Sequence, residues 1–102
     1  MFRRRYRFVL QYGSGGAFAQ LAGRLNTLER EHGWALTRTW NPAAGTLNEM
    51  IMEADYPDED AYRAERGPRY GHEEANALWV QIYELVVPGT FTIEELEEIK
   101  TD

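Results

Sequence analysis

The chain of 102 residues is long enough for one domain with one modest hydrophobic core, and we treat residues 1–102 as that domain. Its content of 43% hydrophobic and 27% charged residues excludes wholesale disorder, and the lack of cysteine excludes disulfides, thiolate metal sites and a cysteine nucleophile. The net charge of −6 argues against general nucleic-acid binding.

The N-terminal sequence MFRRRYRFVL is basic, but its arginines interleave with apolar residues, unlike the apolar run of a signal peptide. No apolar stretch approaches the length of a membrane span. We therefore expect a cytoplasmic protein with neither a membrane nor a nucleic acid as partner, whose arginines are solvated or paired internally.

The first half of the chain alternates between the period of a strand and that of a helix. Arg3–Tyr12 has apolar residues at every second position, which predicts a half-buried strand. In Ala17–His32 the apolar residues recur every three or four positions, which predicts a helix that ends at Gly33. Trp34–Trp40 and Leu47–Tyr56 alternate again, and the turn residues between them predict a hairpin.

The second half predicts two more helices and one more strand. Pro57–Asp58 opens a helix that is interrupted at Gly67–Pro68, because proline lacks an N–H donor, and that resumes over Tyr70–Trp79. Val80–Val87 predicts the fourth strand. Thr92–Lys100 predicts a short helix, since its threonine and a glutamate three residues later form a capping box.

This order of elements predicts an α+β, ferredoxin-like βαββαβ fold. The expected structure is an antiparallel four-stranded sheet with two helices on one face and a short C-terminal helix, the first and third strands lying at the centre. The glycine-rich sequence YGSGGAF joins the first strand to the first helix. It lacks the remaining positions of a dinucleotide-binding or Walker motif, so we interpret it as a turn, or corner, between the two elements. Ser14 is then the expected cap of the helix and Phe18 its first core residue.

The two predicted faces of the sheet differ in polarity. The richly apolar face is expected to pack on the helices; it holds Tyr6, Phe8, Leu10, Tyr12, Trp34, Leu36, Trp40, Met50, Met52, Tyr83, Leu85 and Val87. On the other face, Arg5 and Arg7 are expected opposite or diagonal to Glu53 and Glu49, within reach of ion pairing. Apolar residues between these charges suit a second copy of the sheet, which predicts a homodimer that encloses a shared barrel. The inverse assignment would give that barrel an apolar lining instead.

One segment resembles a known family. The helix end His32–Gly33, then Trp40, the hairpin sequence GTLNE that starts at Gly45, and Tyr56 resemble the NIPSNAP family of the dimeric α/β-barrel superfamily. The resemblance is best over Glu31–Arg66 and only topological elsewhere. It implies a homodimer and a single NIPSNAP-like domain.

The superfamily includes cofactor-independent monooxygenases, haem-degrading enzymes and isomerases, so the resemblance implies little about chemistry. Many relatives carry a histidine and a tryptophan on the third strand, where this chain has Met52 and Ala54, and any role of those groups cannot be transferred. The residues of haem-degrading relatives are not matched either, because Gln11 stands in place of their asparagine and His72 precedes Trp79.

Seven residues are candidates for a ligand site. Five would line the barrel or its rim, and two follow the predicted helix break at its edge: Arg7, Gln11, Thr37, Glu49, Glu53, Tyr70 and His72. His72 is the candidate proton donor, and the alternative is the structural role that such a histidine more commonly has. The sequence His72-Glu73-x-x-Asn76 lacks the second histidine of a zinc motif, so we predict neither a metal nor a cofactor.

Three functions remain open at this point. The first is a homodimer that binds a small molecule, the second a cofactor-independent monooxygenase or isomerase on the same scaffold. The third is an interaction protein whose acidic tail docks on an arginine-rich strand of a partner, which could be the other copy in its own dimer.

Overall fold

The computed structural model describes residues 1–101 and has the predicted ferredoxin-like α+β fold. In chain order its elements are β1 (Phe2–Val9), α1 (Gly15–His32), β2 (Arg38–Trp40), β3 (Glu49–Tyr56), α2 (Glu59–Tyr70), α3 (Glu73–Glu84) and β4 (Thr92–Glu97). Within residues 1–101, no helix is both long and apolar enough to cross a membrane.

The four strands form one antiparallel sheet in the order β2-β3-β1-β4. β1 and β3 are central, as predicted, and their register places Tyr6 opposite Met52 and Arg5 opposite Glu53. Because side chains alternate along a strand, this register sends the tyrosine and the methionine to one face and the ion pair to the other.

The hydrophobic core lies between the sheet and the three helices, which all pack on one face. Its most deeply buried apolar side chains come from every layer: Phe8, Leu25, Met52, Leu78 and Ile82. Full burial of such a side chain contributes roughly 1.5–3 kcal/mol each. The predicted faces of β1 and β3 are therefore confirmed. The opposite face of the sheet, here called the arginine face, carries Arg3, Arg5 and Arg7 of β1 and Arg38 of β2, whereas Arg4 lies on the helix face.

The predicted strand Val80–Val87 is wrong, because residues up to Glu84 belong to helix α3. Ala75, Leu78 and Ile82 are all buried, and their spacing of three and four residues is that of a helix. The strand-like alternation after Trp79 was coincidental. Only the end of the segment pairs with the sheet, through a bridge between Val86 and Leu10.

The predicted C-terminal helix Thr92–Lys100 is also wrong, because Thr92–Glu97 forms the edge strand β4. A capping box stabilises a helix only by a small amount, and an isolated helix this short is marginally stable in water. Pairing with β1 satisfies a whole row of backbone groups instead.

Helix α2 continues through Gly67 and Pro68, where a break was predicted, and ends at Tyr70. Proline removes one backbone hydrogen bond, but it lies in the last turn, where the helix is about to end. The break falls instead at Gly71, whose N–H donates to the Gly67 carbonyl at 3.0 Å.

The predicted second strand, Trp34–Trp40, is much shorter than expected. Two of its backbone N–H groups donate to side-chain carboxylates rather than to a strand, Ala35 to the half-buried Glu65 at 2.8 Å and Thr37 to the buried Glu29 at 2.9 Å. In the remaining strand Trp40 pairs with Ile51, which places it on the arginine face and not on the helix face. Its side chain is 50% exposed.

The glycine-rich sequence is a corner, as predicted. Gly13 has a φ of +83°, which a glycine adopts without strain, and Phe18 is the first buried residue of α1. Ser14 precedes the helix, but its hydroxyl makes no capping hydrogen bond. Tyr12, expected on the apolar face, is 93% exposed because β1 ends at Val9.

Candidate functional site

A cavity of about 420 Å³ lies between the helix face of the sheet and helices α2 and α3. This volume is within the range of small-molecule sites, about 300–1,000 Å³. Aromatic side chains dominate its walls: Tyr6, Tyr56, Tyr62, Tyr70, Trp79 and Tyr83. Three arginines also line it, Arg4, Arg66 and Arg69, and among the described residues no carboxylate or imidazole does.

Arg4 fixes the sheet side of the cavity. Its Nε donates to the Tyr6 hydroxyl at 2.8 Å, and its Nη1 pairs with the Glu95 carboxylate of β4. The guanidinium also lies 5.2 Å from the centre of the Tyr6 ring and 5.5 Å from that of Tyr62. Burial is the largest single effect on the pKa of Arg4 and lowers it, but the hydrogen bond to the Tyr6 oxygen and the electrostatic attraction of the surrounding tyrosines together raise the pKa.

Four tyrosines of the cavity have raised pKa values. Burial is the main cause at Tyr6, Tyr56, Tyr62 and Tyr83, because a phenolate is poorly solvated there. At Tyr56 the hydroxyl also donates to the Glu65 carboxylate at 2.7 Å, which stabilises the neutral phenol. These groups therefore stay protonated near neutral pH and can donate hydrogen bonds, but they are poor bases.

A buried ionic network closes one end of the cavity. The Glu29 carboxylate is fully buried and accepts hydrogen bonds from Arg69 Nη1 at 2.7 Å, Thr37 Oγ1 at 2.6 Å and Asn26 Nδ2 at 2.9 Å. Arg69 Nε also donates to Glu65 at 2.8 Å. The network ties α1, α2 and the chain before β2 together, so the charge of Arg69 is already neutralised by protein groups.

Helix α2 presents a stripe of cavity residues at every fourth position, Tyr62, Arg66 and Tyr70. The Tyr62 ring stacks on Phe2 with centroids 4.9 Å apart, and the side chain is only 5% exposed. Within residues 1–101 its hydroxyl has no hydrogen-bond partner. Among residues 1–101, Arg66 has no carboxylate within 4.0 Å, whereas Arg4 and Arg69 each pair with at least one.

Two of the seven predicted site residues, Thr37 and Tyr70, line this cavity. Arg7, Glu49 and Glu53 lie on the opposite face of the sheet, so the structure does not bring the seven together. There, the predicted ion pairs are confirmed: Arg7 contacts Glu49 at 2.8 Å and Arg5 contacts Glu53 at 3.0 Å. A ligand role for these charged groups stays a prediction, and it would require them to leave their partners.

The other two predicted residues have structural contacts. The Gln11 side chain donates to the Glu84 carbonyl at 3.1 Å. His72 is the N-cap of α3, where its Nδ1 accepts from the Ala75 N–H at 3.2 Å. Its ring also packs edge-on against His32, with centroids 4.6 Å apart, outside the cavity. Proton transfer by His72 stays a prediction.

The acidic C-terminal segment docks on the arginine-rich strand of its own chain. Glu95 pairs with Arg4 on the helix face, and Glu94 lies 4.0 Å from both Arg5 and Arg7 on the other. The arginines of β1 are thus paired internally, as the sequence predicted.

Sequence reasoning missed most of the cavity, although one signal was present. The spacing Tyr62-x-x-x-Arg66-x-x-x-Tyr70 puts two phenols and a cation on one side of a helix. The cavity side of α3 was divided in the prediction, because Trp79 ended a predicted helix and Tyr83 lay in a predicted strand.

A second hollow of about 730 Å³ lies between α1 and the edge strand β2. Its walls include small residues of α1 and the exposed side chains of Leu36 and Trp40, and it is more open to solvent than the aromatic cavity. Among residues 1–101, no three His, Asp or Glu side chains are grouped so as to hold a metal ion.

No family model and no curated protein matches the sequence significantly. Solved structures do match. An uncharacterised NIPSNAP domain protein from Burkholderia xenovorans is 18% identical with a TM-score of 0.76, over 97% of this chain and 95% of its own. A NIPSNAP family protein of unknown function from Agrobacterium tumefaciens is 14% identical with a TM-score of 0.77, over 100% of this chain and 91% of its own.

An antibiotic biosynthesis monooxygenase is similar too, at 12% identity and a TM-score of 0.74, over 98% of this chain and 100% of its own. At 18% identity or less, these likenesses establish the fold and not the reaction. The chain therefore has the fold of NIPSNAP domain proteins, which confirms the likeness that the sequence predicted, and it shares that fold with a monooxygenase.

Proposed function

We propose that the chain is a NIPSNAP-like binding protein that holds a small aromatic molecule in the cavity between its sheet and helices α2 and α3. The observation that carries the proposal is the lining of that cavity, six aromatic side chains with hydrogen-bond donors among them. Apolar walls with a few placed polar groups are typical of ligand sites. The cytoplasmic location stays a prediction.

Calorimetric titration with naphthol, a neutral aromatic probe, tests the proposal. Val80 lines the cavity and is exposed at its mouth, so Val80→Trp is expected to fill the entrance and to weaken binding. The matched control is Ala77→Trp, which adds the same ring to an exposed position of α3 outside the cavity. Equal binding by both variants would contradict this location of the site.

We further propose that the arginine face of the sheet is covered by a second copy of the chain. Its charges pair within the chain, so the face carries little net charge despite its many ionic groups. Trp40 and Leu96 remain exposed on it, and Ile51 and Val9 are half-buried between the ion pairs. A neutralised face with apolar side chains exposed is suited to an isologous interface.

A cofactor-independent monooxygenase is the second candidate, favoured by the likeness to an antibiotic biosynthesis monooxygenase. Such chemistry on an enolisable substrate begins with loss of a proton. Among residues 1–101, the cavity is lined by tyrosines with raised pKa values, and no carboxylate or imidazole lines it to act as the base. This lining favours binding of a ligand over abstraction of a proton from it. Oxygen uptake with an enolisable aromatic compound, without added cofactor, would support the enzyme instead.

A further inference from the structure

We propose that the ligand is an aromatic monoanion, whose carboxylate accepts hydrogen bonds from Arg66 and Tyr62 of helix α2. This inference rests on the proposed function and names the chemical class of the ligand.

One of the three arginines that line the cavity has no carboxylate partner within residues 1–101. Of the three lining arginines, Arg4 pairs with Glu95, and Arg69 pairs with Glu29 and Glu65. Arg66 has no carboxylate within 4.0 Å among residues 1–101, although the whole chain carries a net charge of −6. An unpaired guanidinium in a site without lining carboxylates attracts an anion, and a single one suits a monoanion.

The hydrogen bonds of the cavity leave one buried donor free. The Tyr6 hydroxyl is bonded to Arg4 and the Tyr56 hydroxyl to Glu65. The buried Tyr62 hydroxyl has no hydrogen-bond partner within residues 1–101, and the Arg66 guanidinium lies near enough to it to lower its pKa against the effect of burial. A buried polar group without a hydrogen bond is unfavourable, and a ligand oxygen would satisfy it. Tyr62 and Arg66 are one helical turn apart, so one carboxylate can face both.

The rest of the cavity suits a flat ring. The Trp79 ring lies 5.0 Å from Tyr6 and 6.0 Å from Tyr83, measured between centroids, and both pairs are inclined rather than stacked face to face. Such walls offer both faces and edges of aromatic rings, which favour contact with an aromatic body. A planar guanidinium binds a carboxylate through two parallel hydrogen bonds, which favours a carboxylate over a spherical anion.

Binding of naphthoate and of its neutral analogue naphthamide to the intact protein tests the inference. We expect naphthoate to bind about tenfold more tightly, the ratio that corresponds to one charge-assisted hydrogen bond. Arg66→Gln should remove this preference, and Tyr62→Phe should reduce it. The matched control is Arg63→Gln, which removes an arginine of the same helix that is exposed, pairs with Glu59 and lies outside the cavity.

The two levels of the proposal fail in different ways. Equal affinity for naphthoate and naphthamide in the wild-type protein would overturn the carboxylate site but leave the aromatic binding site standing. A preference for naphthoate that Arg66→Gln retains would also overturn the assignment of Arg66. If neither compound bound, the proposed function itself would fail together with the inference.

Discussion

Glu29 is a fully buried carboxylate, and the stability of the fold depends on how its charge is compensated. Its strongest partner is Arg69, at 2.7 Å and itself largely buried. We expect Arg69→Met to lower the free energy of unfolding by about 3–5 kcal/mol, because it leaves a buried charge without a counterion. Denaturant unfolding followed by circular dichroism measures the loss.

The double variant Arg69→Met with Glu29→Gln tests whether the loss of stability comes from the uncompensated charge of Glu29. A neutral amide at position 29 no longer requires a cation, so the double variant should be more stable than Arg69→Met alone. The exposed pair of Arg63 and Glu59 supplies the control, since Arg63→Met should leave stability unchanged. A loss from Arg69→Met no larger than in this control would show that the buried network is dispensable.

Tyr56 makes the stability of the protein sensitive to alkaline pH. Burial and the hydrogen bond to Glu65 raise its pKa above the ordinary value of 10.0, so the folded chain holds the phenol proton more tightly than the unfolded chain. The stabilisation is complete below pH 10 and is lost as pH rises through the folded pKa. In Tyr56→Phe the fall in unfolding free energy above pH 10 should be shallower, as measured by urea denaturation.

An unchanged slope in that variant would mean that Tyr56 titrates alike in the folded and unfolded chains. The raised pKa values of Tyr6, Tyr62 and Tyr83 act in the same direction, so the slope should become shallower and not vanish.

Helices and strands differed in how well the sequence predicted them. β1, β3 and α1 have long segments of clean periodicity, which made their type and buried face predictable. Val80–Val87 and Thr92–Lys100 are short and were decided by local signals, while the structure is decided by pairing with β1 and by packing on α1. The aromatic cavity depends on both segments, so it could not be predicted before they were placed.

The assignment of β4 as a strand leads to a prediction that a helix would not share. The Glu98 N–H donates to the Met1 carbonyl at 2.8 Å, and alternation along an antiparallel pair then directs the N–H of Leu96 towards β1 and that of Glu97 outwards. Leu96→Pro removes a sheet hydrogen bond and should lower the melting temperature clearly. Glu97→Pro removes an outward N–H and should lower it much less.

Equal effects of the two prolines would contradict this register. The same comparison bears on the cavity, because Arg4 is held by Glu95 of the same strand. We therefore expect Leu96→Pro to weaken the binding of naphthol as well, which isothermal calorimetry can measure.

At the scale of the whole molecule, the sequence predicts the ion pairs on the arginine face of the sheet but not all of the residues that lie on that face. The Arg5–Glu53 and Arg7–Glu49 pairs followed from strand alternation alone. Trp40 joins that face only because the chain before β2 leaves the sheet to contact Glu29 and Glu65, and a contact between distant segments has no local sequence signal. Its position makes the face more apolar than predicted.

We expect the arginine face to join two copies of the chain into a homodimer that a single added charge can dissociate. Ile51 lies at the centre of the face, paired with Trp40 on β2 and Arg7 on β1. Ile51→Glu would add an uncompensated negative charge inside the interface, because Arg7 opposite already pairs with Glu49, and desolvating such a charge is costly, so the variant should be a monomer in light scattering. Ala77→Glu, on the exposed side of α3, changes net charge equally and should stay dimeric. A wild-type monomer would refute the interface, whereas two dimeric variants would place it on another surface.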